Sequence, residues 1–175
     1  VLFGSTQTGI GLAEDLAMGI VDRYRSLPMA RSAVIAGRIL ADTIRNVFVI
    51  LLMIGVGYAI GFRFQAGLQM AIPVIVVAVL FGHAFSWISA LIGVLVRNAE
   101  TAQVAGFIWI FPLVFMSSMF VPVATMPDWL QVVADINPVT AATDTLRGIS
   151  HGFEVTVPLV KVLAWTGGIL AIFAP

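Results

Sequence analysis

Two long runs without a charged side chain decide what this sequence can become. Residues 70–96 and 101–121 contain no Asp, Glu, Lys or Arg, and only Arg97-Asn98-Ala99-Glu100 separates them. A helix crossing the hydrocarbon of a bilayer needs roughly 20 apolar residues. Each run is therefore long enough to cross, and the junction permits only a tight turn. A third charge-free stretch, 47–62, is closed by Arg63 and Gln65; it crosses if the turns before it also enter the interface. Composition agrees: the chain is 60% hydrophobic and 10% charged, against about 25% charged residues in soluble domains. The expected class is an all-α, polytopic transmembrane helical bundle.

The same composition excludes several functions. Nine basic residues balance nine acidic ones, so no basic field invites nucleic acid. Cysteine is absent, which removes disulfides, thiolate metal sites and cysteine nucleophiles. The sequence has no phosphate loop, no HExxH, no GxSxG and no glycine-rich dinucleotide fingerprint. Its single lysine, Lys161, follows no glycine-rich loop. No catalytic, cofactor or metal residues are assigned. His83 shares a helical face with Ser86 and Trp87 and lies far from His151. It either lines a polar path or packs against a neighbouring helix carbonyl, and the packed reading is favoured.

Residues 14–29, EDLAMGIVDRYRSLPM, form the only sizeable charged, amphipathic segment. Leu16, Ile20, Tyr24 and Leu27 recur at spacings of four, four and three, which sets them on one helical face. Pro28 disfavours continuation. Arg38, Asp42 and Arg45 follow at i, i+4 and i+7, so Asp42 can pair with either arginine. Two accounts stay open for them: a solvated helix entry with snorkelling arginines, or a buried ionic latch between two conformations. Gly57 and Gly61 form a small-xxx-small pair and one possible dimer contact. Pro73 and Pro112 are expected to start or kink their helices. Met116 and Met119 are read as packing residues rather than a drug-binding stripe.

Residues 122–156 differ in kind, with three prolines, four acids, Arg147 and His151 among Trp129, Leu130, Val132, Val133 and Leu146. They read as two short amphipathic helices broken at Asn137-Pro138, lying at or dipping into the interface. The arginine excess of the segment up to Arg45 puts it in the cytoplasm by the positive-inside rule and puts 122–156 outside. With no initiating Met and a last apolar run cut at Pro175, the chain is read as a fragment.

The run Glu14-Asp15, Gly19-Ile20 and Asp22-Arg23-Tyr24-Arg25-Ser26-Leu27-Pro28-Met29 resembles the coupling segment of type-2 ABC exporter permeases of the daunorubicin-resistance-like branch. FVPVATMPDWL, residues 120–130, followed by Asn137-Pro138 and Leu146-Arg147, resembles the outer segment before that family's last helix. Weaker echoes are Gly37-Arg38, Asp42 with Arg45-Asn46, and Gly61-Phe62-Arg63.

The resemblance implies a six-span permease that dimerises, as a homodimer or heterodimer, and binds ATP-hydrolysing subunits of a separate polypeptide. It assigns ATPase coupling to Glu14, Asp15, Leu16, Gly19, Ile20, Asp22, Arg23, Tyr24, Arg25, Leu27 and Pro28. The outer re-entrant motif is Met126, Pro127, Trp129, Leu130, Asn137, Pro138 and Arg147.

The expected division is 1–11 end of a span, 12–36 cytoplasmic coupling segment, 37–62 span and 63–69 outer turn. Then come 70–96 span, 97–100 inner turn, 101–121 span, 122–157 outer re-entrant segment and 158–175 the start of the last span. The implied function is export of amphiphilic drugs, lipids or glycolipids across a bacterial plasma membrane by alternating access. ATP and Mg are expected on the partner and no cofactor on this chain. An intramembrane protease or acyltransferase and a non-transporting scaffold are the competing classes.

Overall fold

The computed structural model describes residues 1–18, 31–65, 67–96 and 98–173, and side chains of the second helix from residue 35 onward. The described residues form seven α-helices and no strand. They are α1 (Leu2–Ala17), α2 (Arg31–Ile60), α3 (Ala71–Val96), α4 (Ala99–Phe115), α5 (Asp128–Ile136), α6 (Pro138–His151) and α7 (Thr156–Phe173). Three helical stretches, Ile35–Ile60, Leu68–Val96 and Thr156–Phe173, are long and apolar enough to cross a membrane, and α4 is a shorter apolar helix. The chain is the all-α membrane bundle its charge-free runs require.

The bundle is built around α3, which packs against α1, α2, α4, α6 and α7. Half of its apolar window is buried, against 22% for α2 and 17% for α7, so the outer helices keep wide apolar faces. What lets so many helices reach α3 is the size of its side chains. Ala78, Gly82, Ala84, Ser86, Ser89, Ala90 and Gly93 are all buried. In lipid, association is driven by close packing rather than by water, and small residues bring backbones together.

The closest approach is between α1 and α3. Ser5, Gly9 and Ala13 recur every four residues on α1 and are buried. A Cβ on Gly9 would strike the Ser89 carbonyl, and one on Gly93 would strike the carbonyl of Gly9. Towards the other end of α3, Val77, Phe81 and Phe85 pack with Val139 and Ala142 of α6 and Val162 and Ile169 of α7. Phe85 stacks on Trp109 of α4, with ring centroids 5.5 Å apart.

Two boundaries differ from the sequence expectation. Helix α1 does not end near Gly11 but runs to Ala17, because Leu12 and Ala13 are fully packed there; Glu14, Asp15 and Leu16 belong to its last turn. Helix α4 stops at Phe115 instead of continuing to 121. Ser117 turns its hydroxyl back onto the Val114 carbonyl at 2.6 Å, and the Asn137 amide takes the carbonyls of Leu113 and Met116.

Gly57 and Gly61 close the end of α2: Gly61 has φ +106°, and the Phe62 N–H donates to the Gly57 carbonyl at 2.8 Å. A left-handed residue at this position is the usual way to satisfy the last carbonyls of a helix. Pro73 lies in the first turn of α3 and Pro112 inside α4.

The α1–α3 contact predicts an asymmetric response to one methyl group. Gly93→Ala pushes a methyl into backbone that cannot yield and is expected to destabilise the bundle by about 1–3 kcal/mol, the usual cost of overpacking. Gly167→Ala has open space around its new Cβ and should be neutral or stabilising by up to about 1 kcal/mol. Thermal unfolding of both variants in detergent, read by circular dichroism, checks the difference.

Candidate functional site

Two polar clusters stand out in this apolar bundle. The first joins α1 to α2, which flank residues 19–30. On α1, Gly4, Thr8, Gly11 and Asp15 recur at spacings of four, three and four, a single helical face. On α2, Arg38, Asp42 and Arg45 with Asn46 recur in the same way. The helices run antiparallel, and the two faces meet residue by residue.

Arg38 pairs with Asp15. The Thr8 hydroxyl donates to one oxygen of the buried Asp42 at 2.5 Å. Arg45 reaches the other Asp42 oxygen at 2.9 Å, and the same guanidinium nitrogen donates to the Gly4 carbonyl at 2.9 Å. The glycines are required by the contact. A Cβ on Gly11 would sit in the Arg38 guanidinium, and one on Gly4 would come within 2.8 Å of the Asn46 side-chain oxygen. Four charges thus resolve into two ion pairs, which is how ionisable groups survive near a hydrocarbon layer.

A short hydrogen-bond chain ties this seam to α3. Trp87 Nε1 donates to His83 Nε2 at 3.3 Å, and Thr43 donates its hydroxyl proton to the Ile39 carbonyl at 2.7 Å. The remaining contact, 2.8 Å between His83 Nδ1 and Thr43 Oγ1, is therefore donated by the histidine. These directions assign a neutral imidazole carrying its proton on Nδ1. His83 is a packed histidine, and its partner on the neighbouring helix is a hydroxyl rather than a carbonyl.

The second cluster lies at the far end, where α4 gives way to α5 and α6. Asn137 caps two helices at once. Its side-chain oxygen accepts from the Val139 N–H at the start of α6, at 2.8 Å. Its amide donates to Leu113 and Met116, the last carbonyls of α4, at 2.7 and 3.2 Å. Pro138 follows at the first position of α6, where a missing N–H costs nothing.

Along one face of α6, Thr140, Asp144 and Arg147 then hold the turn at 117–119. The Thr140 hydroxyl accepts from the Ser118 N–H at 3.2 Å. Asp144 accepts from the Ser118 hydroxyl at 2.7 Å. Arg147 donates to the carbonyls of Ser118 and Met119 at 2.8 and 3.0 Å. From α7, Lys161 and Trp165 donate to the Asp135 and Ile136 carbonyls at the end of α5, both at 3.1 Å.

Set against the sequence-based sites, Asp15, Arg38, Asp42 and Arg45 come together, with Asp42 choosing Arg45 and Arg38 choosing Asp15. Glu14 is exposed, whereas Leu16 packs inside the bundle beside Leu12, Ile39 and Ala90. Gly19, Ile20, Asp22, Arg23, Tyr24, Arg25, Leu27 and Pro28 lie outside the described residues. In the outer motif, Asn137, Pro138 and Arg147 converge on the 113–119 turn. Met126 is buried, Trp129 is 66% exposed, Pro127 caps α5 and Leu130 is half-buried. Sequence reasoning missed Thr8, Gly4 and Gly11 on one side and Ser118, Thr140 and Asp144 on the other. The heptad-like spacings of both sets were there to be found.

Apolar helices packed through glycine and tied by an inter-helix ion pair and hydrogen bonds define a polytopic membrane protein whose polar groups serve helix arrangement. Comparison with known proteins makes this specific. The ABC-2 type transporter family model matches residues 1–150, and the chain belongs to that family. It is 34% identical, over its full length, to the daunorubicin resistance ABC transporter permease protein of Streptomyces coeruleorubidus. It is also 34% identical, over 98% of its length, to the probable doxorubicin resistance ABC transporter permease protein of Mycobacterium tuberculosis. A probable multidrug ABC transporter permease of Escherichia coli is 24% identical over 81% of the chain and 38% of its own length. The chain spans 62% of the length of the first two relatives. No solved structure matches it.

The double cap makes a prediction at Asn137. Asn137→Asp keeps the oxygen that caps α6 but loses the donors to Leu113 and Met116. It should therefore destabilise the bundle by roughly 1–3 kcal/mol, the cost of stranding buried partners. Asn137→Ala loses both caps and should cost more. Thermal unfolding of the two variants, compared with the parent, ranks them.

Proposed function

We propose that this chain is the greater part of the membrane permease subunit of an ATP-driven exporter of amphiphilic drugs, lipids or glycolipids. It is supported chiefly by the family match over residues 1–150 together with two permease relatives, each 34% identical along nearly the whole chain. In this reading an ATP-binding subunit on a separate polypeptide carries ATP and Mg, and two permeases pair. The protein sits in a bacterial inner membrane with the 14–45 segment in the cytoplasm. Residues 14–29 couple to the ATPase: Ile20, Tyr24 and Leu27 enter an apolar groove and the exposed Glu14 with Asp22, Arg23 and Arg25 supplies charge to the docking surface, while Asp15 turns away from it to Arg38 of α2. ATP-driven closure of the partner then moves α1 and α2 and reorients the spans. The sequence assigns the chain no catalytic residue, so hydrolysis belongs to the partner. The outer helices α5 and α6 cap the path.

The coupling assignment is tested with full-length permease and its ATPase. An interface hot spot is worth about 2 kcal/mol or more, roughly thirtyfold in affinity. Tyr24→Ala with Arg25→Ala should weaken ATPase binding by about that factor and abolish ATP-driven doxorubicin export, while leaving the permease inserted. Asp128→Ala should leave ATPase binding intact. Normal binding and export in the double variant would remove residues 14–29 from the coupling role.

Orientation has a separate test in this cysteine-free chain. Ser26→Cys and Asp135→Cys should label with a membrane-impermeant maleimide from opposite faces of the membrane. Labelling of both from one face would overturn the proposed topology.

A further inference from the structure

We infer that the α1–α2 seam stays closed through the transport cycle, so that the two helices move over α3 as one lever. Asp15, Arg38, Thr8 and Asp42 are its positioning residues. The inference deepens the reading above, since it rests on residues 14–29 receiving the push of an ATPase.

The argument is an asymmetry in how α1 is held. Among the described residues, every side-chain hydrogen bond from or to α1 that reaches another helix goes to α2: Thr8 to Asp42, Arg38 to Asp15, and Arg45 to the Gly4 carbonyl. These bonds are directional and spread along most of α1. Sliding the helices past each other by one residue breaks all of them together. The glycines deepen the commitment, because the space at Gly11 is filled by the Arg38 guanidinium and that at Gly4 by Asn46. Glu14, exposed at the same end, lines a surface hollow with Asn98 and Ala99, whereas Asp15 is the acid that Arg38 meets.

Against α3, by contrast, α1 presents Ser5, Gly9 and Ala13, and the contact is van der Waals between small residues. That contact holds its register by shape, through the notch where Gly9 meets Gly93, and has no side-chain hydrogen bond to break when the two helices shift over α3. A force on the connection between Ala17 and Arg31 reaches both helix ends, and it is transmitted only if those ends do not slip on each other. A latch that opens would let Arg38 fall back on Asp42, four residues along α2, so the two readings differ in whether the Asp15–Arg38 bond must break during the cycle. A lever needs the set that is present.

Full-length permease with its ATPase, in nanodiscs, provides the test. With any cysteine outside residues 1–175 replaced by serine, Asp15→Cys with Arg38→Cys removes the ion pair and allows a short, reducible bis-methanethiosulfonate reagent to replace it. Before cross-linking, ATPase binding should stay within about twofold of the parent. Permease-stimulated ATP hydrolysis should fall about tenfold, within the usual range of coupling between sites. Cross-linking should restore stimulation to within about twofold of the parent, and reduction should abolish it again.

Three results would overturn the lever. Stimulation left low by cross-linking means that the seam must open. Full stimulation before cross-linking means that the pair is idle. Lost ATPase binding means that the pair belongs to the docking surface.

Thr8 gives an independent arm. Thr8→Ser keeps the hydroxyl and should behave as the parent, whereas the near-isosteric Thr8→Val should lose stimulation severalfold with ATPase binding unchanged. A Thr8→Val protein that melts earlier yet keeps full stimulation would reduce the seam to a stability element and refute the proposal. A parent permease that binds no ATPase would instead strike at the function proposed above.

Discussion

The contact between the backbones of α1 and α3 sets the terms for everything else in this bundle. With Gly9 and Gly93 facing each other, α1 lies so close to α3 that its rotation about its own axis is fixed. At 100° per residue, the Ser5, Gly9 and Ala13 face and the Gly4, Thr8, Gly11 and Asp15 face lie roughly 130° apart. Seating the first on α3 therefore delivers the second to α2. A third face, Phe3 and Thr6, meets α4 near Phe107 and Gly106. A helix of ordinary side-chain size could not serve three neighbours at once. The small residues at the start of the chain are what make α1 a junction.

Charge placement follows from that geometry. An ionised side chain drawn out of water is costly unless it is paired, and Asp15, Arg38, Asp42 and Arg45 are all at least partly shielded where α1 meets α2. The seam offsets the cost by neutralising them in pairs and by giving Asp42 a hydroxyl donor as well. At the opposite end the problem is backbone rather than charge. Where α4 and α5 stop, their last carbonyls lack helical partners. Asn137, Arg147, Lys161 and Trp165 supply donors from neighbouring helices. Non-helical backbone can exist at membrane depth only when the surrounding protein satisfies it in this way.

Much of the architecture could be read in the sequence because it rests on local rules. The charge-free runs gave the spans of α2 and α3, and Asn137-Pro138 marked the break between α5 and α6 as a cap followed by proline at the first helical position. What could not be read depends on partners distant in sequence. The length of α1 is set by burial of Leu12 and Ala13 against other helices, so its end at Ala17 leaves no local mark beside Gly11. The early stop of α4 depends on Asn137, more than twenty positions away. Gly57 and Gly61 carried a spacing read as a helix contact, and the left-handed φ of Gly61 adds a role at the end of α2 that the spacing alone does not show. Asp42 had two arginines in reach on its own helix. The choice of Arg45 frees Arg38 for Asp15, and that depends on how α1 is rotated.

The two ends of the bundle use polar groups in different ways. At the Ser118 end, nearly every bond runs from a side chain to backbone of a turn or helix terminus, which fixes the shape of the connection between helices. At the seam the bonds run mainly between side chains in the bodies of two helices, which fixes their register. A bond that caps a turn is lost when the turn deforms, whereas a bond between helix bodies is lost only when one helix slides on the other. The first arrangement suits a part of the molecule that must hold its form. The second suits a pair of helices that carries displacement without internal slip, which is what a segment pushed at one end requires.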